Sequence, residues 1–89
     1  MQRNKIFTVE LLPAAQKDID NLPPKTKSRI TSKIIPLQEE PRPKSCAKLK
    51  GCGNIFRIRV GNYRILYRIF DIDKRVTIVK VAHRKEVYR

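Results

Sequence analysis

Eighty-nine residues with 21 Lys and Arg against 8 Asp and Glu carry a formal charge of +13. Such a chain is one domain, residues 1–89, that attracts anionic partners, nucleic acid first among them. The same figures exclude a second domain, a membrane span, because the apolar runs are only a few residues long, and a disulfide framework, because only Cys46 and Cys52 are available.

Lys5 to Leu11 alternates Ile6, Thr8 and Glu10 with Phe7, Val9 and Leu11, the two-residue period of a strand. No signal-peptide pattern is visible at this end, which points to a cytoplasmic protein. Pro13 suits a first helical position, and Ala15, Ile19 and Leu22 recur at i, i+4 and i+7. That stripe predicts a short amphipathic helix ended by Pro23-Pro24. Pro24 opens a second helix with Ile30, Ile34 and Leu37 on its apolar side. Pro36 interrupts this pattern: it lacks a backbone donor and collides with the carbonyl of Ser32, so a kink or stop is expected near Ile35. Lys25, Lys27, Arg29 and Lys33 are read as a solvated face of this helix that extends the positive field of the sheet, with a dedicated binding surface as the alternative.

Pro41-Arg42-Pro43 closes the helical half as an extended loop, and Lys44 to Lys50 predicts a weak strand before Gly51. From Asn54 to Arg68 apolar residues alternate with arginines around Gly61-Asn62, the pattern of a hairpin with a type II′ turn. This turn pairs Val60 with Tyr63, Arg59 with Arg64 and Ile58 with Ile65. Phe56, Ile58, Val60, Tyr63, Ile65 and Tyr67 then share one face, and Arg57, Arg59, Arg64 and Arg68 the other. Like charges set opposite one another oppose folding, a cost that a bound polyanion offsets. Asp71 to Lys74 predicts a turn into a last strand, Arg75 to Ala82. The order β-α-α-β-β-β-β predicts an α+β fold, two helices packed on one side of an antiparallel four- to five-stranded sheet.

The tail His83-Arg84-Lys85-Glu86-Val87-Tyr88-Arg89 brings an imidazole, a guanidinium and a phenol to the end of that strand. If the strand lies beside the hairpin, all three reach the arginine face. Cleaving RNA by attack of a 2′-hydroxyl on the adjacent phosphorus needs a base, an acid for the leaving 5′-oxygen, and fixed cations for the charge that builds on phosphorus. Arginine serves the last role through its bidentate fork, and its high pKa excludes it from the first. His83, the only histidine, and Tyr88 are the two candidate proton carriers; Tyr88 also has a ring on which a base can stack. Lys48, Lys50, Arg68 and Lys85 are read as RNA contacts around this centre. No metal ligand set and no cofactor motif is present. Each assignment has a plain structural alternative: solvated arginines, a tail anchored by Arg84 and Tyr88, a His83 bonded to backbone, and reduced, inert thiols at Cys46 and Cys52.

The chain resembles the RelE/ParE superfamily of toxins from bacterial and archaeal toxin–antitoxin modules. The likeness rests on the opening strand, Lys17-Asp18-Ile19, Leu22-Pro23, Pro41-Arg42-Pro43 and Lys48-Leu49-Lys50-Gly51. Its specific segments are Phe56 to Tyr67 and His83 to Tyr88. The resemblance implies a RelE-like fold and a ribosome-dependent endoribonuclease, an mRNA interferase that cuts messages in the decoding site and arrests translation. It also implies a cognate antitoxin that masks the basic surface. By position it places catalytic basic residues at Arg57, Arg59, Arg64 and Arg84 and a catalytic tyrosine at Tyr88. Arg57 and Arg59 stand where the best-known member has lysines, and Ala82 where glycine is common. His83 sits where many relatives have histidine, so the first proton transfer falls to either His83 or Tyr88. The competing expectation within the superfamily is a ParE-like toxin that inhibits DNA gyrase and cleaves no RNA. A basic ribosome-associated protein without catalysis explains the charge but not the tail.

Overall fold

A computed structural model describes residues 6–51 and 53–84. Strand β1 (Thr8–Leu11) leads through Leu12 into helix α1 (Pro13–Asp20), followed by helix α2 (Pro24–Ile34). Pro13 and Pro24 each occupy the first helical turn, where a missing N–H costs nothing. At the other end of α2, Pro36 has the expected effect. The helix stops at Ile34 and tightens into a 3₁₀ turn, Ile35–Gln38, that drops Leu37 into the core. The last carbonyl of that turn, on Gln38, accepts from the N–H groups of Ile6 and Phe7 at 3.0 and 2.9 Å, fastening the chain just before β1.

Strands β2 (Cys46–Lys48), β3 (Ile55–Val60), β4 (Tyr63–Phe70) and β5 (Arg75–His83) complete a five-stranded sheet in the order β1-β5-β4-β3-β2. The β3–β4 register is the one the turn dictates: Val60 opposite Tyr63, Arg59 opposite Arg64, Ile58 opposite Ile65. Gly61 has φ +59° while Asn62 stays at negative φ, in keeping with a type II′ turn.

One pairing departs from the expected antiparallel sheet. β1 runs parallel to β5, Thr8 beside Arg75 through Leu11 beside Ile78, so the sheet is mixed. Two helices separate β1 from β2 and rule out a hairpin between them. β1 instead docks beside the last strand, pointing so that Leu12, whose N–H reaches Ile78 O at 3.0 Å, delivers α1 onto β5.

Both helices lie on one side of the sheet. Ala15, Ile19, Ile30, Ile34 and Leu37 meet Ile58, Val60, Ile65, Tyr67, Ile69, Val76, Ile78 and Val81 in a single buried cluster. Tyr67 is wholly buried at its centre; its hydroxyl donates to Pro41 O at 2.8 Å, and its ring stacks on Phe56. Burial and the neighbouring Cys46 push the Tyr67 phenol above its ordinary range, so it stays neutral. No helix among the described residues is long and apolar enough to cross a membrane.

Candidate nucleic-acid interface

The other side of the sheet carries no helix, and strand alternation decides what it displays. The Cα pairings arrange it in rows. Nearest the Gly61-Asn62 turn lie Arg59, Arg64 and Ala82. The next row holds Ala47, Arg57, Leu66 and Lys80. Beyond it come Ile55, Arg68, Thr77 and Glu10, and last Phe70, Arg75 and Thr8.

Charge is graded along these rows. At the far end Arg75 is neutralised: its Nε lies 3.3 Å from Glu10 Oε1, its Nη2 is 3.9 Å from Asp73, and its guanidinium covers the Phe70 ring at 4.6 Å. Thr77 Oγ1 donates to the same Glu10 at 3.0 Å. Toward the turn acids are scarce, with Lys80 holding Asp18 at the sheet's edge. Among the described residues no carboxylate lies within ion-pairing distance of Arg57, Arg59, Arg68 or Arg84. Arg57 is half-buried, and its Nε is shielded from solvent with no hydrogen-bond partner among those residues. Arg64 is 6 % exposed, unusual for an arginine, and directly faces Arg59. Ala47 and Ala82 flank these long side chains with little bulk. The result is a basic surface of guanidiniums with Leu66 among them.

Arg84 closes this end of the sheet. Its N–H donates to Asn62 O at 2.7 Å, which binds the end of β5 to the hairpin turn and leaves its side chain exposed. Arg68 is exposed one row beyond Arg57.

His83 does not join the arginines. It lies opposite Tyr63, whose ring it meets edge-on at 5.4 Å, and Tyr63 packs against the core on the helix side. With Asp18, Asn21 and Leu22 it borders a small cleft beside α1. The cause is a β-bulge. Leu66 pairs with Lys80 but the next residue, Tyr67, pairs with Ile78, so Val79 is an extra residue and the alternation of β5 changes phase there. Without the bulge His83 would face the arginines; with it, Ala82 does. The sequence carried the mark: Val76 and Ile78 are apolar on even numbers, Val81 on an odd one, and Lys80 breaks the run. Asp18 stabilises the irregular stretch, accepting from Val81 N–H at 3.1 Å and lying 3.5 Å from Lys80 Nζ.

The expected outer contacts divide as well. Lys48 pairs with Phe56 and so belongs to the helix side at the β2 edge, away from Arg57. Lys50 is exposed in the loop after β2. Lys85, Tyr88 and Cys52 lie outside the described residues. Cys46 is a free, half-buried thiol on the edge strand. No cluster of metal-binding side chains occurs among the described residues.

Sequence reasoning placed Arg29 of α2 on a basic helix face but missed its contact with the hairpin turn. A Cβ placed on Gly61 would lie 3.2 and 3.3 Å from its two terminal nitrogens, so the guanidinium rests against the hairpin turn. No spacing rule links position 29 to position 61, and only the packing of α2 against β3 makes the contact.

Comparison with known proteins agrees with this architecture. Residues 9–88 match the family described as ParE toxin of type II toxin–antitoxin system, parDE. Toxin RelG of Mycobacterium tuberculosis is 32% identical over 84 residues, covering 93% of this chain and 97% of that protein. Two crystal structures superpose closely. The toxin–antitoxin complex RelBE2 from Mycobacterium tuberculosis gives a TM-score of 0.77 at 32% identity, over 86% of this chain and 96% of the matched one. The archaeal RelE–RelB complex from Pyrococcus horikoshii gives 0.78 at 28% identity, over 89% and 96%. With a basic sheet face of this construction and likeness along nearly its whole length, the chain belongs to the RelE/ParE family and is a RelE-type toxin of a toxin–antitoxin module.

Proposed function

We propose that this toxin is a ribosome-dependent endoribonuclease that cuts translated messenger RNA by attack of a 2′-hydroxyl on the neighbouring phosphorus. The observation that carries the reading is the gathering of Arg57, Arg59 and Arg64 in two adjoining rows, with no described carboxylate paired to Arg57 or Arg59. Charge accumulates on the non-bridging oxygens as the pentacoordinate state forms, and guanidiniums already fixed on a rigid sheet stabilise it without reorganising. Arg84, tied to the turn at Asn62, supplies a cation at the edge of the same site. Removal of the 2′-hydroxyl proton is assigned to Tyr88, because the arginines stay protonated and His83 lies on the helix side of the sheet, and the 5′-oxygen released as its bond to phosphorus breaks takes a proton from solvent. Arg68 contacts the strand on either side of the cut. The partners of this reading are the decoding site of the ribosome, the message in it, and a cognate antitoxin. The last is supported by relatives crystallised as toxin–antitoxin and RelE–RelB complexes.

Primer extension on a translated message after brief induction tests it. Cuts inside reading frames, abolished when translation is blocked and in an Arg57→Ala/Arg84→Ala variant that folds normally, are the expected result. Since the matching family carries the ParE name, poisoning of DNA gyrase is the second reading. DNA damage with uncut messages and continuing protein synthesis would decide for it.

A further inference from the structure

We infer that Arg29 is a further phosphate-binding residue, held at the tip of the hairpin so that it grips an RNA strand where it leaves the sheet past Gly61. This rests on the nuclease reading above and adds to its site a contact from the helical layer.

Three observations on separate elements converge on that tip. The first is the packing of Arg29 itself. Its terminal nitrogens lie 3.2 and 3.3 Å, and its Cζ 3.6 Å, from where a side chain on Gly61 would begin. The turn needs glycine for φ +59°, and the guanidinium lies in contact with it, close enough that a methyl there would displace the arginine by a few tenths of an ångström. An arginine laid on a turn in this way loses rotamer freedom before any ligand arrives, which lowers the entropy cost of binding. The second is charge. Arg29 is exposed, and among the described residues no carboxylate pairs with it. Arg42 and Arg75, arginines placed elsewhere on the surface, both hold acids. The third is the gradient along the open face, where arginine is paired with acids around Glu10 and Asp73 while, among the described residues, no acid is ion-paired to Arg59 or Arg84. A polyanion drawn toward the basic end is carried to the turn on which Arg29 rests.

The ligand class is a single-stranded RNA backbone, and the probe is a short unstructured oligoribonucleotide whose reactive 2′-hydroxyl is replaced by 2′-deoxy. Binding is measured across a salt series for the purified toxin and four variants: Arg29→Ala, Arg29→Lys, Arg57→Ala, and Lys74→Gln at the opposite end of β4. Arg29→Ala is expected to weaken binding several-fold at 0.1 M salt and to make the salt slope shallower by about 0.7, one phosphate's share. Arg29→Lys keeps the slope and loses part of the affinity, as a point charge replaces a fork. Lys74→Gln is expected to match wild type, since only the local contact is lost in Arg29→Ala. Unchanged affinity and slope in Arg29→Ala, or an equal loss in Lys74→Gln, would overturn the assignment and leave a diffuse field. If Arg57→Ala binds like wild type while Arg29→Ala does not, the sheet reading fails and the Arg29 contact stands.

Discussion

Tyr67 shows how a polar atom fixes a loop from inside the core. Its hydroxyl meets the Pro41 carbonyl at 2.8 Å within buried surroundings, so Tyr67→Phe removes the donor and strands an acceptor. The expected cost is about 1–3 kcal/mol in denaturant unfolding, with no change in the pH profile of activity, because this phenol remains protonated throughout the working range. Nearby, Arg42 grips Asp71 through two hydrogen bonds of 3.1 and 2.8 Å and covers the Phe56 ring. The Arg42 hydrogen bond holds the Asp71 carboxyl below its ordinary 3.8. A depressed carboxylate contributes stability that is present above its unfolded value and lost as pH falls through its folded one. Asp71→Asn should therefore narrow the drop in melting temperature between pH 5 and strongly acidic solution, and leave little difference at neutral pH beyond the lost ion pair. A variant that melts with the parent's acid profile would show that Asp71 does not contribute to it. The pair is solvent-exposed, so the effect is small.

Elements were legible in the sequence wherever local rules act alone. Pro13, Pro24 and Pro36 mark two helix starts and one helix end, and Gly61-Asn62 sets a six-pair register without help from the rest of the chain. The failures share a cause. The direction of β1, the face of His83 and the reach of Arg29 depend on contacts between segments distant in sequence, where no periodicity speaks. Even so, the β5 bulge was half visible, since Lys80 on the core phase is a pattern no packed sheet tolerates. At this scale Gly61→Ala is the telling substitution. Left-handed backbone under an L-residue costs about 1–2 kcal/mol, and here the new methyl also displaces the Arg29 guanidinium slightly. Unfolding should shift by at least that amount, whereas alanine at Gly53, whose φ is +63° but whose surroundings are open, should cost only the backbone share.

As a whole the molecule is a helical layer that supplies stability and an open sheet face that supplies charge. Thirteen uncompensated positive charges on so few residues repel one another, and folding is tolerated because Tyr67, Ile65, Ile58 and Ile78 are buried beneath the helices on the other face. Salt should thus act on two measurements in opposite directions. Raising it from 0.05 to 0.5 M screens the self-repulsion and is expected to raise the melting temperature by several degrees. The same change should weaken RNA binding, with a log–log slope of about −2 to −3 if three or four phosphates are neutralised. A melting temperature that falls with salt would mean that ion pairs such as Arg42–Asp71 outweigh repulsion.

The bulge at Val79 gives β5 the property of a swivel. Two residues upstream of it, Thr77 looks toward the open face; three downstream, Ala82 does, and the histidine beside it is turned away. Excising Val79 would leave everything after it on its present face, whereas straightening the strand with Val79 kept would rotate that stretch by half a revolution, trading a methyl for an imidazole among the guanidiniums. One backbone irregularity thus decides which side chain of the strand's end stands among the guanidiniums, with no residue of that face changed.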